Sequence, residues 1–171
     1  LSIIMVRDTM KDTSTFPLAI ITIGNELMGD DGVGPAMHEA LSSYSLPDHI
    51  KLIDGGTGGF SILHLIRTYE AVILVDCGDF GGNPGDIALF SPEDVISMKT
   101  LTYSLHDVDL LKVTDIAQSI GEAPSIIHIV AVQPKKIAFD SPLSPEVAAS
   151  IPDAVTLILS LIEKITKDVI L

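Results

Sequence analysis

Ala71-Val72-Ile73-Leu74-Val75 is an unbroken apolar run of strand length that ends on a carboxylate, Asp76. A strand that is apolar at every position has both faces covered, as at the centre of a parallel sheet with helices above and below. The flanking sequence fits that placement. Residues 18–23 and 125–132 are further segments of strand length and largely apolar, and 50–53 reads as a short strand. Between them, apolar residues recur at helical spacing: Met37, Ala40 and Leu41 after Pro35, Leu63 and Ile66 within 60–68, and Val108, Leu110, Leu111, Val113, Ile116, Ala117 and Ile120 within 107–120. Ser144-Pro145-Glu146 opens a last long helix with Val147, Ile151, Val155, Ile158 and Ile162 on one side. Strands alternating with helices predict an α/β fold, a three-layer α/β/α domain with right-handed crossovers.

One segment departs from this alternation. Gly81-Gly82-Asn83-Pro84-Gly85 is a turn cluster that sends the chain straight back into 86–90, so this strand is expected at a sheet edge and antiparallel. Ser91-Pro92-Glu93-Asp94 reads as the N-cap and first turn of a short helix, and the pattern over 98–104 is weak. Residues 1–16 read as a flexible polar arm, and 17–171 as one domain, a size that buries a core without disulfides.

Charge narrows the partners. The formal net charge of −13 disfavours nucleic acid and anionic membrane surfaces, and basic or metal-bearing partners fit better. Although 47% of the residues are hydrophobic, no unbroken apolar run reaches the ~20 residues of a membrane span. Arg7, Asp8, Lys11 and Asp12 interrupt the apolar start before a signal-peptide core can form. Cys77 is the only cysteine, compatible with a reducing compartment and a cytoplasmic setting, and a small buried apolar role is the usual reading of such a residue.

The functional signal lies in Gly24-Asn25-Glu26-Leu27-Met28-Gly29-Asp30-Asp31-Gly32-Val33-Gly34, between the first strand and the first helix. Strand-to-helix turns at the carboxyl ends of α/β strands are where ligands sit. This loop is glycine-rich but has neither the lysine of a P-loop nor the spacing of a dinucleotide loop. Its carboxylates repel phosphate and attract a cation, or supply acid/base groups. If strands one and three are neighbours, Asp31 and Asp76 converge on the crevice between their carboxyl ends. His106, just ahead of the helix expected at 107–120, approaches the same crevice. An Asp/Asp/His set suits a divalent first-row metal with water in the remaining positions. Plainer roles exist for each: Asp30 or Asp31 as a helix cap, and His106 as a helix-entry or satisfied core residue. An unpaired carboxylate at the end of a buried strand is costly, which makes Asp76 harder to explain away.

The same loop resembles the GNxLxxDDGxG signature of the hydrogenase maturation proteases, nickel-recognising endopeptidases that trim the C-terminus of [NiFe] hydrogenase large subunits. Asp54-Gly55-Gly56-Thr57 is similar to that family's second glycine loop, Ile73-Leu74-Val75-Asp76 with Asn83-Pro84-Gly85 to its central strand and following hairpin, Ser104-Leu105-His106-Asp107 to its histidine segment, and Val132-Gln133-Pro134 to the end of its last strand. Gly29-Asp30-Asp31-Gly32 and the Asn83-Pro84-Gly85 hairpin look most like the formate-hydrogenlyase and F420-type subgroup. The resemblance implies a phosphorylase/hydrolase-like five-stranded mixed sheet of order 2-1-3-5-4 with strand four antiparallel. It also implies Asp31, Asp76 and His106 as catalytic and nickel-contacting residues, nickel supplied by the substrate with no tightly bound cofactor, and a hydrogenase large-subunit precursor as partner.

Other titratable residues read as peripheral. His38, His49 and His64 read as surface groups, His128 as a core residue within a strand, Glu26 as a marginal contact, Asp79, Asp86 and Asp109 as solvated charge, and Asp54 as an anchor of its glycine loop. No HExxH, GxSxG or recognisable Cys/His pairing occurs, so conventional zinc, serine and cysteine protease chemistry has no support. Two competing functions remain open: a non-catalytic nickel-binding assembly factor using the same three residues, and a small-molecule hydrolase or phosphorylase, for which the acidic loop offers no phosphate- or sugar-binding group.

Overall fold

The computed structural model describes residues 17–97 and 105–170, apart from the side chains at 95–97, 105–109, 111, 169 and 170. The arm expected over 1–16 and the weakly patterned stretch 98–104 lie outside the described residues.

Strands β1 (Leu18–Thr22), β2 (Ile50–Asp54), β3 (Ala71–Cys77), β4 (Ile87–Phe90) and β5 (Ile126–Val132) form one sheet in the order β2-β1-β3-β5-β4. β1 is parallel to β2 and β3, β3 is parallel to β5, and β4 runs antiparallel to β5. All seven residues of β3 are buried, as the unbroken apolar run requires of a central strand. Asp86 accepts from the backbone N–H of Asn83 at 2.7 Å, closing the turn that returns the chain into β4.

Helices α1 (Val33–Ser42), α2 (Ser61–Ile66), α3 (Pro92–Ser97), α4 (Leu105–Ser119) and α5 (Pro145–Ile170) complete the described architecture. The pleat sends alternate residues of each strand to opposite layers. Leu18 and Ile20 of β1, with Ile73 and Val75 of β3, pack against Met37 of α1 and Val155 and Ile158 of α5. Ala19 and Ile21, with Val72 and Leu74, pack against Ile62 and Ile66 of α2 and Leu110 and Val113 of α4. Burying each such aliphatic side chain contributes about 1.5–3 kcal/mol, so the two cores hold the layers in register. Asp94 accepts from the N–H and hydroxyl of Ser91 while that hydroxyl accepts from Asp94 N–H, the reciprocal cap expected at the start of α3.

Two expectations need correction. Pro145–Asp168 of α5 is long and apolar enough to cross a membrane, with a mean hydropathy of 1.5, because small and hydroxyl-bearing residues rather than charges separate its apolar positions. A search for unbroken apolar runs passes over that composition. Here its apolar side is part of the core, and Pro152 sits on its exposed side, where water can satisfy the carbonyl that a missing N–H leaves open. The second concerns the first helix: a 3-10 turn, Gly29–Gly32, precedes α1, which starts at Val33 with Gly32 as N-cap and no side-chain cap bond. Neither Asp30 nor Asp31 caps it.

Candidate active site

The edge of the sheet where β1 and β3 end is a topological switch point. β1 continues through the 3-10 turn into α1 on one face, whereas the chain after β3 returns through the edge strand β4 and then reaches β5 by way of α4 on the other. Pairing continues past the strand, with Ile23 N–H donating to Val75 carbonyl at 2.8 Å, so the two carboxyl ends stay side by side and border the crevice.

Asp76 follows Val72 and Leu74 in the alternation, which directs its side chain toward the layer of α2 and α4. It is buried, and one carboxylate oxygen accepts from Cys77 N–H at 2.7 Å. Asp31 is buried in the 3-10 turn, which packs beside β3, and its Oδ2 accepts from Asn25 N–H at 3.0 Å. Two buried carboxylates thus stand at the carboxyl edge of the sheet, one in the turn that packs beside β3 and one at the end of β3 itself. Where water is excluded, an ionised carboxylate and a cation attract each other more strongly than they do at the surface.

His106 lies in the first turn of α4 rather than ahead of the helix, since α4 begins at Leu105. Its side chain is outside the described residues. α4 must deliver the chain to the start of β5, and its 15 residues span ~22 Å, about the length of a seven-residue strand. Its first turn therefore stands at the carboxyl edge, on the face toward which Asp76 points. Among the described residues no group of three His, Cys, Asp or Glu side chains is gathered closely enough to hold a metal ion.

Asp30 has a different task from its neighbour. It is fully buried, and its carboxylate accepts from the backbone N–H groups of Lys135 (2.8 Å), Lys136 (2.8 Å) and Ser144 (2.6 Å) and from the Ser144 hydroxyl (3.0 Å). Burial alone pushes its pKa up, but the bonds from the Ser144, Lys136 and Lys135 backbone and the Ser144 hydroxyl outweigh it and hold the carboxyl below its ordinary value. Asp30 clamps the β5–α5 loop onto the 3-10 turn.

Glycines allow this close wrapping at two points. Gly24 has φ +150°, and a Cβ there would lie 2.1 Å from the carbonyl oxygen of Asp31. A Cβ on Gly34 would lie 1.9 Å from the carbonyl oxygen of Ile23, so α1 meets the end of β1 only because that residue has no side chain. The second glycine loop docks alongside: Gly24 N–H donates to Gly56 carbonyl at 2.9 Å, and Asp54 accepts from Gly56 N–H at 2.8 Å, the anchoring expected of it.

Gln133 is a structural residue of the edge that sequence reasoning missed. Buried at the end of β5, it accepts from Phe80 N–H and Gly82 N–H, each at 3.0 Å, and donates to Asp79 at 3.0 Å. It pins the loop that follows Asp76. A polar residue ending an apolar strand carried the signal, by the reasoning applied to Asp76. Asp79 and Asp86 are accordingly turn-bracing acceptors rather than freely solvated charges. His38 is half-buried and hydrogen-bonded to Thr22 at 3.3 Å, not a surface group. His128 aligns with Val130 and Val132 on the α1/α5 face, away from Asp76, where burial and then Lys164 lower its pKa. Glu26 and His64 are exposed, His49 is half-buried in a loop, and the side chain of Asp109 lies outside the described residues.

Comparison with known proteins agrees with this geometry. The family model for hydrogenase maturation protease matches residues 35–161. A hydrogenase expression/formation protein, HupD of Rhodobacter capsulatus, is 33% identical over 139 residues, covering 80% of this chain and 66% of that protein, so the chain spans just under two thirds of its length. The hydrogenase 2 maturation protease of Escherichia coli K12 is 30% identical over 145 residues, 84% of this chain and 88% of the relative. The solved hydrogenase maturating endopeptidase HybD from E. coli superimposes with a TM-score of 0.79 at 28% identity, covering 86% of this chain and 93% of that one. With its sheet order and these matches in agreement, the chain belongs to the hydrogenase maturation protease family of peptidases.

Proposed function

We propose that this protein removes the C-terminal extension from the nickel-loaded precursor of a [NiFe] hydrogenase large subunit, and that Asp31, Asp76 and His106 contact the nickel the precursor carries. The observation that carries this reading is the pair of buried aspartates at the switch point between β1 and β3. Ligation of the substrate's metal fixes the scissile bond beside the carboxylates and makes a correctly metallated precursor the only one cut. Hydrolysis then needs a base for the attacking water, charge to hold the oxyanion, and a proton for the leaving amine. A carboxylate accepts and returns the proton, and the adjacent cation stabilises the oxyanion.

The test is processing of nickel-loaded precursor by Asp31→Asn, Asp76→Asn and His106→Ala variants, followed by intact mass. Each is expected to slow cleavage by about a hundredfold or more, the scale of a lost acid/base or ligand group. Processing at the parental rate by Asp76→Asn would remove the basis of the proposal. Nickel arrives with the substrate, so the protein purified without chelators is expected to contain far less than one metal ion per chain. One tightly bound ion per chain would contradict that scheme.

A further inference from the structure

Exposed large apolar residues are unevenly distributed over the surface. Of the seven among the described residues, Leu27, Phe60, Ile137 and Phe139 all lie on loops at the carboxyl edge of the sheet, with Phe60 72% and Phe139 74% exposed. These loops are braced. Asp140 N–H donates to Leu27 carbonyl at 2.8 Å, Met28 forms a bridge with Ser141, and Asp30 N–H donates to Lys136 carbonyl at 3.0 Å. Phe60 follows the glycine loop tied to Gly24. The core gains nothing from these side chains, and exposure of that extent, held in place by backbone bonds, marks a contact surface.

What covers the rim follows from position and charge. Anything seated on these loops also covers the crevice of Asp31 and Asp76. A second copy of a chain carrying −13 is repelled, and on these loops the exposed Glu26, Asp54 and Asp140 outnumber Lys136, while Lys135 is paired with Glu146. We infer that the apolar rim is the docking surface for the substrate protein, and that it takes a segment in which apolar side chains stand beside cationic ones. That the occupant is the hydrogenase precursor rests on the proposed function.

The experiment uses Phe60→Ser, Phe139→Ser and the double variant, with Tyr44→Ser and Ile120→Ser as controls, since those two exposed residues follow the ends of α1 and α4 at the opposite edge. Dissociation constants, KM and kcat are measured with nickel-loaded precursor, and binding is repeated at raised ionic strength. The double variant is expected to raise Kd and KM at least tenfold with kcat within twofold, controls unchanged, and parental binding to weaken with salt. Parental Kd and KM in the double variant overturn the docking surface while leaving the protease reading intact. A parent protein that binds but never cuts, with binding lost in the double variant, upholds the surface and overturns the protease reading; one that neither binds nor cuts overturns both.

Discussion

Replacing Asp30 with Ala should be the most damaging single change in the acidic loop. The fully buried carboxylate accepts three backbone N–H bonds at 2.6–2.8 Å and one hydroxyl bond at 3.0 Å. Hydrogen bonds to a charged partner contribute about 1.5–3 kcal/mol each. Lys135 and Lys136 are exposed, so water recovers part of their loss, whereas Ser144 is half-buried. Taking about half the full value for the two lysine bonds and the full value for the two Ser144 bonds leaves a cost of about 5–9 kcal/mol, a large share of the 5–15 kcal/mol that holds a typical domain. At about 2–4 °C per kcal/mol for a chain of this size, the melting temperature should drop by roughly 10 °C or more. Urea unfolding followed by circular dichroism gives the free energy directly from the midpoint and slope. Asp30→Asn, which keeps one acceptor oxygen, should lose about half as much. A change below about 1 kcal/mol in Asp30→Ala would refute the assignment of Asp30 as a clamp.

Three further outcomes follow. Gly34→Ala forces a methyl group to within 1.9 Å of the Ile23 carbonyl, so it should cost at least about 3 kcal/mol or abolish soluble expression, as read by thermal melting. Gln133→Ala removes two acceptor contacts and one donor contact from the loop after Asp76 and should destabilise by about 2–3 kcal/mol in the same urea assay. Because the folded-state pKa of Asp30 is lowered, the unfolded chain binds the proton more readily. Its contribution is therefore complete above about pH 4 and lost as pH falls through the folded value. Acid titration of stability should be steeper for the parent than for Asp30→Ala below about pH 4, and parallel curves would contradict this.

The elements most legible in the sequence are those whose patterning has one physical solution. The unbroken run in β3 allowed only a central strand, and the Asn83-Pro84-Gly85 turn allowed only an immediate return, which became antiparallel β4. The placing of Asp31 and Asp76 at the carboxyl edge rested on the adjacency of β1 and β3, a consequence of topology rather than of local sequence. The division of labour between Asp30 and Asp31 was not legible, because it depends on backbone N–H groups more than a hundred residues away in the chain. Gln133 escaped for the same reason: its partners sit in a loop brought alongside only by the pairing of β3 with β5. The membrane-length hydropathy of α5 was hidden by its small and hydroxyl-bearing residues.

Nickel gating is tested most directly by the intact mass of a hydrogenase large-subunit precursor after incubation with this protein, run in parallel on nickel-loaded and nickel-free substrate. Loss of a C-terminal peptide from the loaded form alone is the predicted result. Equal cleavage of both forms would contradict recognition through the metal, and stable complex formation without cleavage of either would leave an assembly factor in place of a protease.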